Sequence, residues 1–274
     1  MAYPKIELDG AVVAVTGGAR GIGKATADLF ASRGATVCVG DLDLADSPNA
    51  FVVDVTSRDS FAAFVEAAVG RHGHIDILVN NAGVMPVGDF LSEDDAISKT
   101  TLDVNVWGLI HGMRAVMPHM LDRGRGHVVN VASMAGKLVV PGLAVYNASK
   151  FAAVGLSAAV REEYRSSGVS VSTVLPSAVR TRLASGVPLG HGMPTVEAED
   201  VARAIVGSVH RRRAEITVPR YLSGWDLVNA ATPEPVMRLG RKLIGDRRAL
   251  TSVQHDVRAA YEESIAVQAG RADR

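Results

Sequence analysis

Short apolar runs rich in valine and isoleucine alternate along this chain with longer segments in which apolar residues recur every three or four positions. Runs of the first kind are typical of strands, and segments of the second kind are typical of helices. Their alternation indicates a parallel sheet covered on both faces. With right-handed crossovers it predicts an α/β fold, a Rossmann-like doubly wound parallel sheet of about seven strands. The predicted strands are AVVAVTG, ATVCVGD, AFVVDV, IDILVNN, GHVVNVAS, VSVSTVLP and AEITVP.

Five helical patterns separate these strands up to about residue 220, after which the alternation stops. The later sequence predicts an irregular turn followed by helical pieces. We therefore predict a single Rossmann-type domain over residues 1–274, with a core of about 8–220 and a C-terminal helical extension of about 221–274. The five helices are expected near residues 22–33, 57–71, 93–121, 146–166 and 197–210.

Composition narrows the choice of partners and compartment. The 29 basic and 29 acidic residues balance, so the charge does not favour a nucleic acid partner. No apolar run approaches the ~20 residues of a transmembrane helix. Cys38 is the only cysteine, which rules out an internal disulfide, favours a reducing, cytoplasmic location and, given its apolar neighbours, suggests an inert buried thiol. The eight histidines show no metal-binding spacing, so we predict no metal site.

A glycine-rich segment, TGGARGIG, joins the first predicted strand to the first helix. Glycines 17, 21 and 23 lie where the pyrophosphate of a dinucleotide would meet a helix N-terminus. The spacing is G-x-x-x-G-x-G and not the commoner G-x-G-x-x-G. A glycine turn that binds nothing is the alternative, but the position directly after the first strand favours nucleotide binding.

Asp41 ends the second predicted strand, about twenty residues after the glycines. A carboxylate there accepts hydrogen bonds from an adenosine ribose and repels a 2′-phosphate, which favours NAD over NADP. Arg20, within the glycine segment, would instead offer positive charge to a phosphate. We give Asp41 more weight because a carboxylate that faces a phosphate dianion is costly. In the alternative interpretation, Asp41 only begins a turn.

The segment VYNASK places Tyr146 and Lys150 about one turn apart on the same face of a predicted helix. A nearby ammonium favours the phenolate, so we expect the pKa of Tyr146 to fall below its ordinary value of about 10. Such a tyrosine would act as an acid or base. An exposed i, i+4 pair without chemistry is the alternative.

These segments together resemble the short-chain dehydrogenase/reductase family, of the compact single-domain type. The resemblance covers roughly residues 8–220, and the joint occurrence of its motifs is specific although each motif alone is common. It rests on TGGARGIG at 16–23, DV at 54–55, NNAG at 80–83, the asparagine of DVNVWG at 103–108, and Ser133 with YNASK.

The resemblance implies a catalytic set of four residues. Tyr146 would exchange a proton with the substrate oxygen, while Lys150 would bind the nicotinamide ribose and lower the pKa of that tyrosine. Ser133 would orient the substrate hydroxyl or carbonyl, and Asn105 would hold a water that links the lysine to solvent. Alternatively, Ser133 is a helix cap and Asn105 only caps or bends a helix.

The resemblance also implies the cofactor contacts. Asp54 would meet the adenine ring, and the NNAG segment would pack along the adenosine. One position departs from the family pattern: Ser177 follows Pro176 where a glycine is usual, so we expect a slightly different backbone path beside the nicotinamide. The expected cofactor-binding residues are Gly17, Arg20, Gly21, Ile22, Gly23, Asp41, Asp54, Val55, Asn81, Ala82, Gly83, Tyr146, Lys150, Val179 and Thr181.

The function implied is that of an NAD(P)-dependent oxidoreductase, a homodimer or homotetramer, that moves hydride between a secondary alcohol or ketone and nicotinamide. The apolar residues before Tyr146 favour a lipophilic substrate, although simple core packing is the alternative explanation for them. The resemblance implies that residues 182–196 form a flexible lid, and their three glycines fit such mobility. The basic segment 235–250 predicts a packed helix more than a membrane contact. The alternatives are a dinucleotide-sensing regulator without activity, which would be expected to lose the tyrosine or lysine, and an epimerase or dehydratase, which usually has G-x-x-G-x-x-G.

Overall fold

A parallel sheet is the centre of the computed structural model, which describes residues 3–43, 49–188, 194–237 and 248–272. The strands are β1 (Val12–Thr16), β2 (Thr36–Asp41), β3 (Ala50–Val52), β4 (Ile77–Asn80), β5 (Gly126–Val131), β6 (Val169–Pro176), β7 (Ala178–Val179), β8 (Thr195–Val196) and β9 (Glu215–Val218). Seven of them form one parallel sheet in the order β3-β2-β1-β4-β5-β6-β9. The predicted doubly wound fold is confirmed. The pairing of β7 with β8 was not predicted.

Helices cover both faces of this sheet, as predicted. They are α1 (Gly21–Ala31), α2 (Arg58–His72), α3 (Asp95–Leu102), α4 (Gly108–Asp122), α5 (Ala144–Glu163), α6 (Ala198–Arg211), α7 (Trp225–Ala231), α8 (Arg248–Thr251) and α9 (His255–Ala272). The predicted helix over 93–121 is divided into α3 and α4 by a π-helical turn at Asp103–Trp107. Turns of this kind frequently mark functional sites.

Successive residues of β1 belong to opposite hydrophobic cores. Val12 and Ala14 pack with Phe61 of α2, whereas Val13 and Val15 belong to the second cluster. A strand buried on both faces needs apolar residues at every position, which explains why the strands appear as continuous runs and not as alternating patterns.

The strand order reverses beside β1, which has β2 on one side and β4 on the other. In an open α/β sheet this reversal leaves a crevice at the carboxyl ends of the strands, where ligands bind. Within the described ranges, no helix has the length and apolar character that a membrane span requires. Residues 189–193 of the predicted lid and 238–247 of the basic segment lie outside those ranges.

Candidate active site

A cavity of about 910 Å³ lies at the carboxyl ends of the strands. Residues that follow β1, β2, β4, β5 and β6 contribute to its wall, although they are distant from one another in the sequence. Among the predicted site residues, Gly23, Asp54 and Asn105 are not part of the lining. Those that line it are Gly17, Arg20, Gly21, Ile22, Asp41, Val55, Asn81, Ala82, Gly83, Ser133, Tyr146, Lys150, Val179 and Thr181.

Asn81 fastens the glycine loop to the end of β4. Its side-chain amide donates to the carbonyl oxygens of Thr16 and Gly17, both at 3.0 Å. Gly23 packs directly against this loop, because a Cβ there would lie 2.0 Å from the Gly17 carbonyl oxygen. Only glycine allows that approach, so Gly23 shapes the loop from behind and does not reach the cavity.

The N-terminus of α1 opens into the cavity beside this loop. Its N-cap residue, Arg20, makes no side-chain capping hydrogen bond, and the first turn carries no acidic residue. Gly21 adopts a positive φ of 53°, a conformation that favours glycine. Among the described residues, no side chain therefore caps the first amides of α1, which lie at the positive end of the helix dipole. This arrangement fits the pyrophosphate of a dinucleotide.

Asp41 and Arg20 meet where β2 reaches the cavity. The Asp41 side chain is only 11% exposed and accepts a hydrogen bond from the Ala19 N–H at 2.9 Å. The Arg20 guanidinium pairs with Asp43 and lies 3.8 Å from Asp41. Two carboxylates thus offset the positive charge that would attract a phosphate at this end of the cavity.

Asp54 and Asn105 support the cavity wall from outside the lining. The Asp54 carboxylate accepts hydrogen bonds from the N–H and the hydroxyl of Thr56, at 2.9 and 2.7 Å. Asn105, in the π-helical turn, bonds both the N–H and the carbonyl of Val84 at 2.9 Å and donates to the Ser149 hydroxyl at 3.0 Å. Their adenine and water contacts stay predictions.

Ser133, Tyr146 and Lys150 come together at the end of β5. Tyr146 and Lys150 are buried in the first turns of α5. The Lys150 Nζ lies 5.6 Å from the centre of the Tyr146 ring and donates to the Val131 carbonyl at 3.3 Å. The Ser133 hydroxyl accepts from the Ala135 N–H at 3.1 Å, so this serine is also the cap that the alternative interpretation described. The structure therefore rejects the exposed-pair alternative for Tyr146 and Lys150.

The pKa of Tyr146 shifts in the direction opposite to the sequence prediction. Burial raises the pKa of this phenol to about 12, and a hydrogen bond with Ser133 offsets the rise only in part. Burial also lowers the pKa of Lys150 to about 8. The expected fall in the tyrosine pKa is therefore wrong for the protein alone, because the lost hydration of the buried phenol outweighs the hydrogen bond with Ser133. At neutral pH this phenol keeps its proton.

Ser177, the departure from the family pattern, fits its position without strain. It has no positive φ, so glycine is not required there. Its N–H donates to the Val218 carbonyl at 2.8 Å and its hydroxyl to the Pro194 carbonyl at 2.6 Å. The serine thus joins β9 to the residue before β8, and the chain continues through Val179 and Thr181 along the cavity.

An apolar chamber lies next to Tyr146. Its wall contains the five apolar residues that the sequence placed ahead of this tyrosine, and further apolar residues from other segments extend it. These residues are Met134, Leu138, Val139, Val140 and Leu143, with Met85, Leu183, Ala184, Val187 and Ala249.

The C-terminal extension supplies a further part of the wall, which sequence reasoning missed. Lys137 forms ion pairs with Asp226 of α7 at 2.8 Å and with Glu215 of β9 at 3.0 Å, and so links α7 to the edge of the sheet. The helical spacing of the α9 residues could have indicated one shared face, but not what that face contacts. The lining residues are Tyr221, Leu222, Trp225, Ala249, Ala260, Tyr261, Glu263, Ser264, Val267 and Gln268.

The fold and this cavity place the chain in the class of Rossmann-like α/β proteins in which a glycine loop and a buried tyrosine and lysine line the same cavity. A model of the family described as short chain dehydrogenase matches residues 11–189, and the chain belongs to that family. It is 32% identical over 245 residues to 17-beta-hydroxysteroid dehydrogenase 13 of Rattus norvegicus, which covers 84% of this chain and 81% of the relative.

Two solved structures of the family are similar in fold. A short chain dehydrogenase/reductase of Burkholderia phymatum, in complex with NAD, is 28% identical with a TM-score of 0.73 and covers 85% of this chain and 96% of its own. A short chain dehydrogenase of Burkholderia cenocepacia, in complex with NADP, is 26% identical with a TM-score of 0.74 and covers 87% and 99%.

Proposed function

We propose that this protein is an NAD-dependent oxidoreductase that interconverts lipophilic secondary alcohols and ketones. The observation that carries the proposal is one cavity that joins an uncapped helix N-terminus, at the glycine loop, to Ser133 and the buried Tyr146 and Lys150. A bound nicotinamide dinucleotide would supply the hydride donor or acceptor. The chain's own residues would bind the phosphates, orient the substrate and carry the proton.

Tyr146 is the proton carrier in this proposal. Because burial raises the pKa of its phenol to about 12, the group holds a proton at neutral pH and can donate it to the oxygen of a ketone. In alcohol oxidation the same oxygen must accept a proton, so we expect oxidation to accelerate as the pH rises. Ser133 would donate to the substrate oxygen as negative charge develops there.

NAD is favoured over NADP because Asp41 and Asp43 stand at the end of β2, where a 2′-phosphate would meet them. Arg20 does not reverse this preference, since its charge is already paired with these carboxylates. One of the two Burkholderia structures is in complex with NAD and the other with NADP, so similarity alone does not select the cofactor. The choice in this chain therefore depends on its own residues around Asp41.

A lipophilic substrate is favoured by the chamber beside Tyr146, whose wall is apolar from Met134 to Leu143. Similarity to a hydroxysteroid dehydrogenase supports the same class of substrate. A regulator that binds dinucleotide without catalysis is less favoured, because the chain keeps Ser133, Tyr146 and Lys150 together in the cavity. A cytoplasmic location and a homodimeric or homotetrameric state remain part of the proposal.

The proposal is tested by a screen of secondary alcohols, sterols and hydroxyacyl compounds with NAD and NADP, in which reduced cofactor is measured against product. We expect stoichiometric reduction of NAD by at least one lipophilic alcohol, faster at higher pH. Binding of NADH without turnover of any compound would instead favour the regulatory alternative.

A further inference from the structure

Arg258, in α9, is a fully buried arginine that none of the family motifs includes. Its guanidinium donates to the carbonyl oxygens of Leu183 at 3.2 Å, of Ser185 at 2.9 Å, and of Met85. Its Nε donates to the Glu262 carboxylate at 3.0 Å. The planar fork of an arginine suits several fixed acceptors at once, which the point charge of a lysine does not. One side chain thus ties α9 to the segment after β4 and to the predicted lid.

Further contacts hold α9 in the same place. The Tyr261 hydroxyl accepts a hydrogen bond from the Met85 N–H at 3.0 Å, and the Arg258 guanidinium lies 5.0 Å from the centre of the Tyr261 ring. Arg182, in the lid segment, donates to the Ala260 carbonyl at 3.2 Å. The helix is therefore held at two segments of the cavity wall, the backbone of Met85 and residues 182–185.

Two faces of α9 have different surroundings. Arg258, Tyr261, Ile265 and Ala269 are buried and recur at helical spacing, so they form the face that packs on the protein. The neighbouring face lines the cavity with Ala260, Glu263, Ser264, Val267 and Gln268. It includes Val267, an apolar side chain that is 52% exposed and lines the cavity.

The cavity-lining face of α9 shares its cavity with the glycine loop and the end of β2. Burial raises the pKa of the Tyr261 phenol to about 12, and the charges of Arg258, Arg182 and Arg20 act in the opposite direction. Arg20 of the glycine loop and Glu263, Ser264 and Val267 of α9 all line this cavity, so α9 forms part of the wall that encloses the phosphate end.

We propose that α9 is the outer wall of the dinucleotide cleft and that Arg258 is the positioning residue that holds it there, so that the chain's own C-terminal helix controls cofactor release. This inference rests on the proposed function, because it takes the ligand of the cleft to be a nicotinamide dinucleotide. A wall fastened at Met85 and the lid segment has to detach before the cofactor leaves. Loss of the fastening therefore raises the dissociation rate constant more than the association rate constant.

The first test measures NADH dissociation by stopped-flow fluorescence, with excess NAD as the chase. Arg258→Met is expected to raise the dissociation rate constant about tenfold or more, since three carbonyls lose a charged donor. The dissociation rate constant of Arg258→Lys should lie between those of the parent protein and Arg258→Met, because a lysine ammonium can donate to some of the three carbonyls. The matched control is Val257→Ala, at an exposed neighbouring position, which should stay within about twofold of the parent protein. An unchanged rate constant in a folded Arg258→Met protein would overturn the inference.

The second test needs no variant and uses hydrogen–deuterium exchange of the parent protein with and without saturating NADH. We expect slower exchange of the amides of residues 255–272 when NADH is bound, because the ligand covers the inner face of the helix. Unchanged or faster exchange there, with NADH shown to be bound, would overturn the wall assignment while leaving the proposed function intact. If the parent protein does not bind NADH, the proposed function and this inference both fail.

Discussion

The site depends on residues whose roles in the structure differ from their appearance in the sequence. Tyr146 was expected to be a readily ionised phenol, but burial keeps its proton in place. Gly23 was expected to contact a cofactor, but it packs against the Gly17 carbonyl. Asp41 does reach the cavity, and one of its oxygens is already occupied by the Ala19 N–H. Burial and neighbouring atoms decide these roles, and neither can be determined from the order of residues in the sequence.

Asp41 gives the prediction at this scale. Asp41→Asn keeps an acceptor for the Ala19 N–H but removes the negative charge, so we expect the preference for NAD over NADP to fall about tenfold. Asp41→Ala should also lose the preference for NAD over NADP, and it removes the acceptor for the Ala19 N–H as well. Steady-state kinetics with both cofactors measures the change. If Asp41→Asn discriminates as the parent protein does, the carboxylate charge is not the selector.

At the scale of helices and strands, most of the prediction holds and its errors have identifiable causes. Apolar spacing located α1, α2, α5 and α6 to within a few residues. The predicted third strand, AFVVDV, is shortened to Ala50–Val52 at the sheet edge, where it has one neighbouring strand. The π-helical turn within 93–121 could not be predicted, because it is associated with the long-range contact of Asn105 with Val84.

The contact between α1 and the glycine loop gives the prediction at this scale. Gly23→Ala would place a methyl group 2.0 Å from the Gly17 carbonyl oxygen. We expect NADH affinity to fall about tenfold or more as the loop is displaced. The matched control is Gly207→Ala in α6, where a Cβ meets nothing within 4 Å and helix propensity should stabilise the fold by about 0.5–1 kcal/mol. Equal NADH affinity in both variants would contradict this role of Gly23.

At the scale of the whole molecule, the core of the fold was predictable and the closure of the cavity was not. The five family motifs all belong to the segment before residue 151. Tyr261, in contrast, bonds Met85 across 176 positions of the chain. No local pattern indicates where a C-terminal helix packs, so the place of α9 in the cavity wall was missed.

His127 gives a prediction for the stability of the whole molecule. It is fully buried between the hydroxyls of Ser170 and Ser208, each at 2.9 Å, and burial, with the charges of Arg212 and Arg161, holds its pKa well below the ordinary value. In the unfolded chain the His127 imidazole takes up a proton near pH 6.5, whereas in the folded protein this imidazole stays neutral at that pH. The contribution of His127 to stability should therefore fall as the pH drops below about 6.5, by up to about 2 kcal/mol at pH 5.

Urea unfolding between pH 7.5 and pH 5 checks this dependence. His127→Gln should lose less unfolding free energy between pH 7.5 and pH 5 than the parent protein does, because the variant has no group to protonate at this position. His119→Gln, at an exposed position of α4, is the matched control and should keep the slope of the parent protein. The role of His127 is wrong if both variants lose the same stability as the parent.

The central claim is that one cavity binds the dinucleotide and uses Tyr146 to carry the substrate proton. The most direct measurement pairs NADH titration with turnover assays on Tyr146→Phe and on the parent protein, with the best alcohol from the screen. We expect NADH affinity within about twofold of the parent protein and turnover reduced by about 100- to 10,000-fold. Near-normal turnover of the phenylalanine variant would contradict the account.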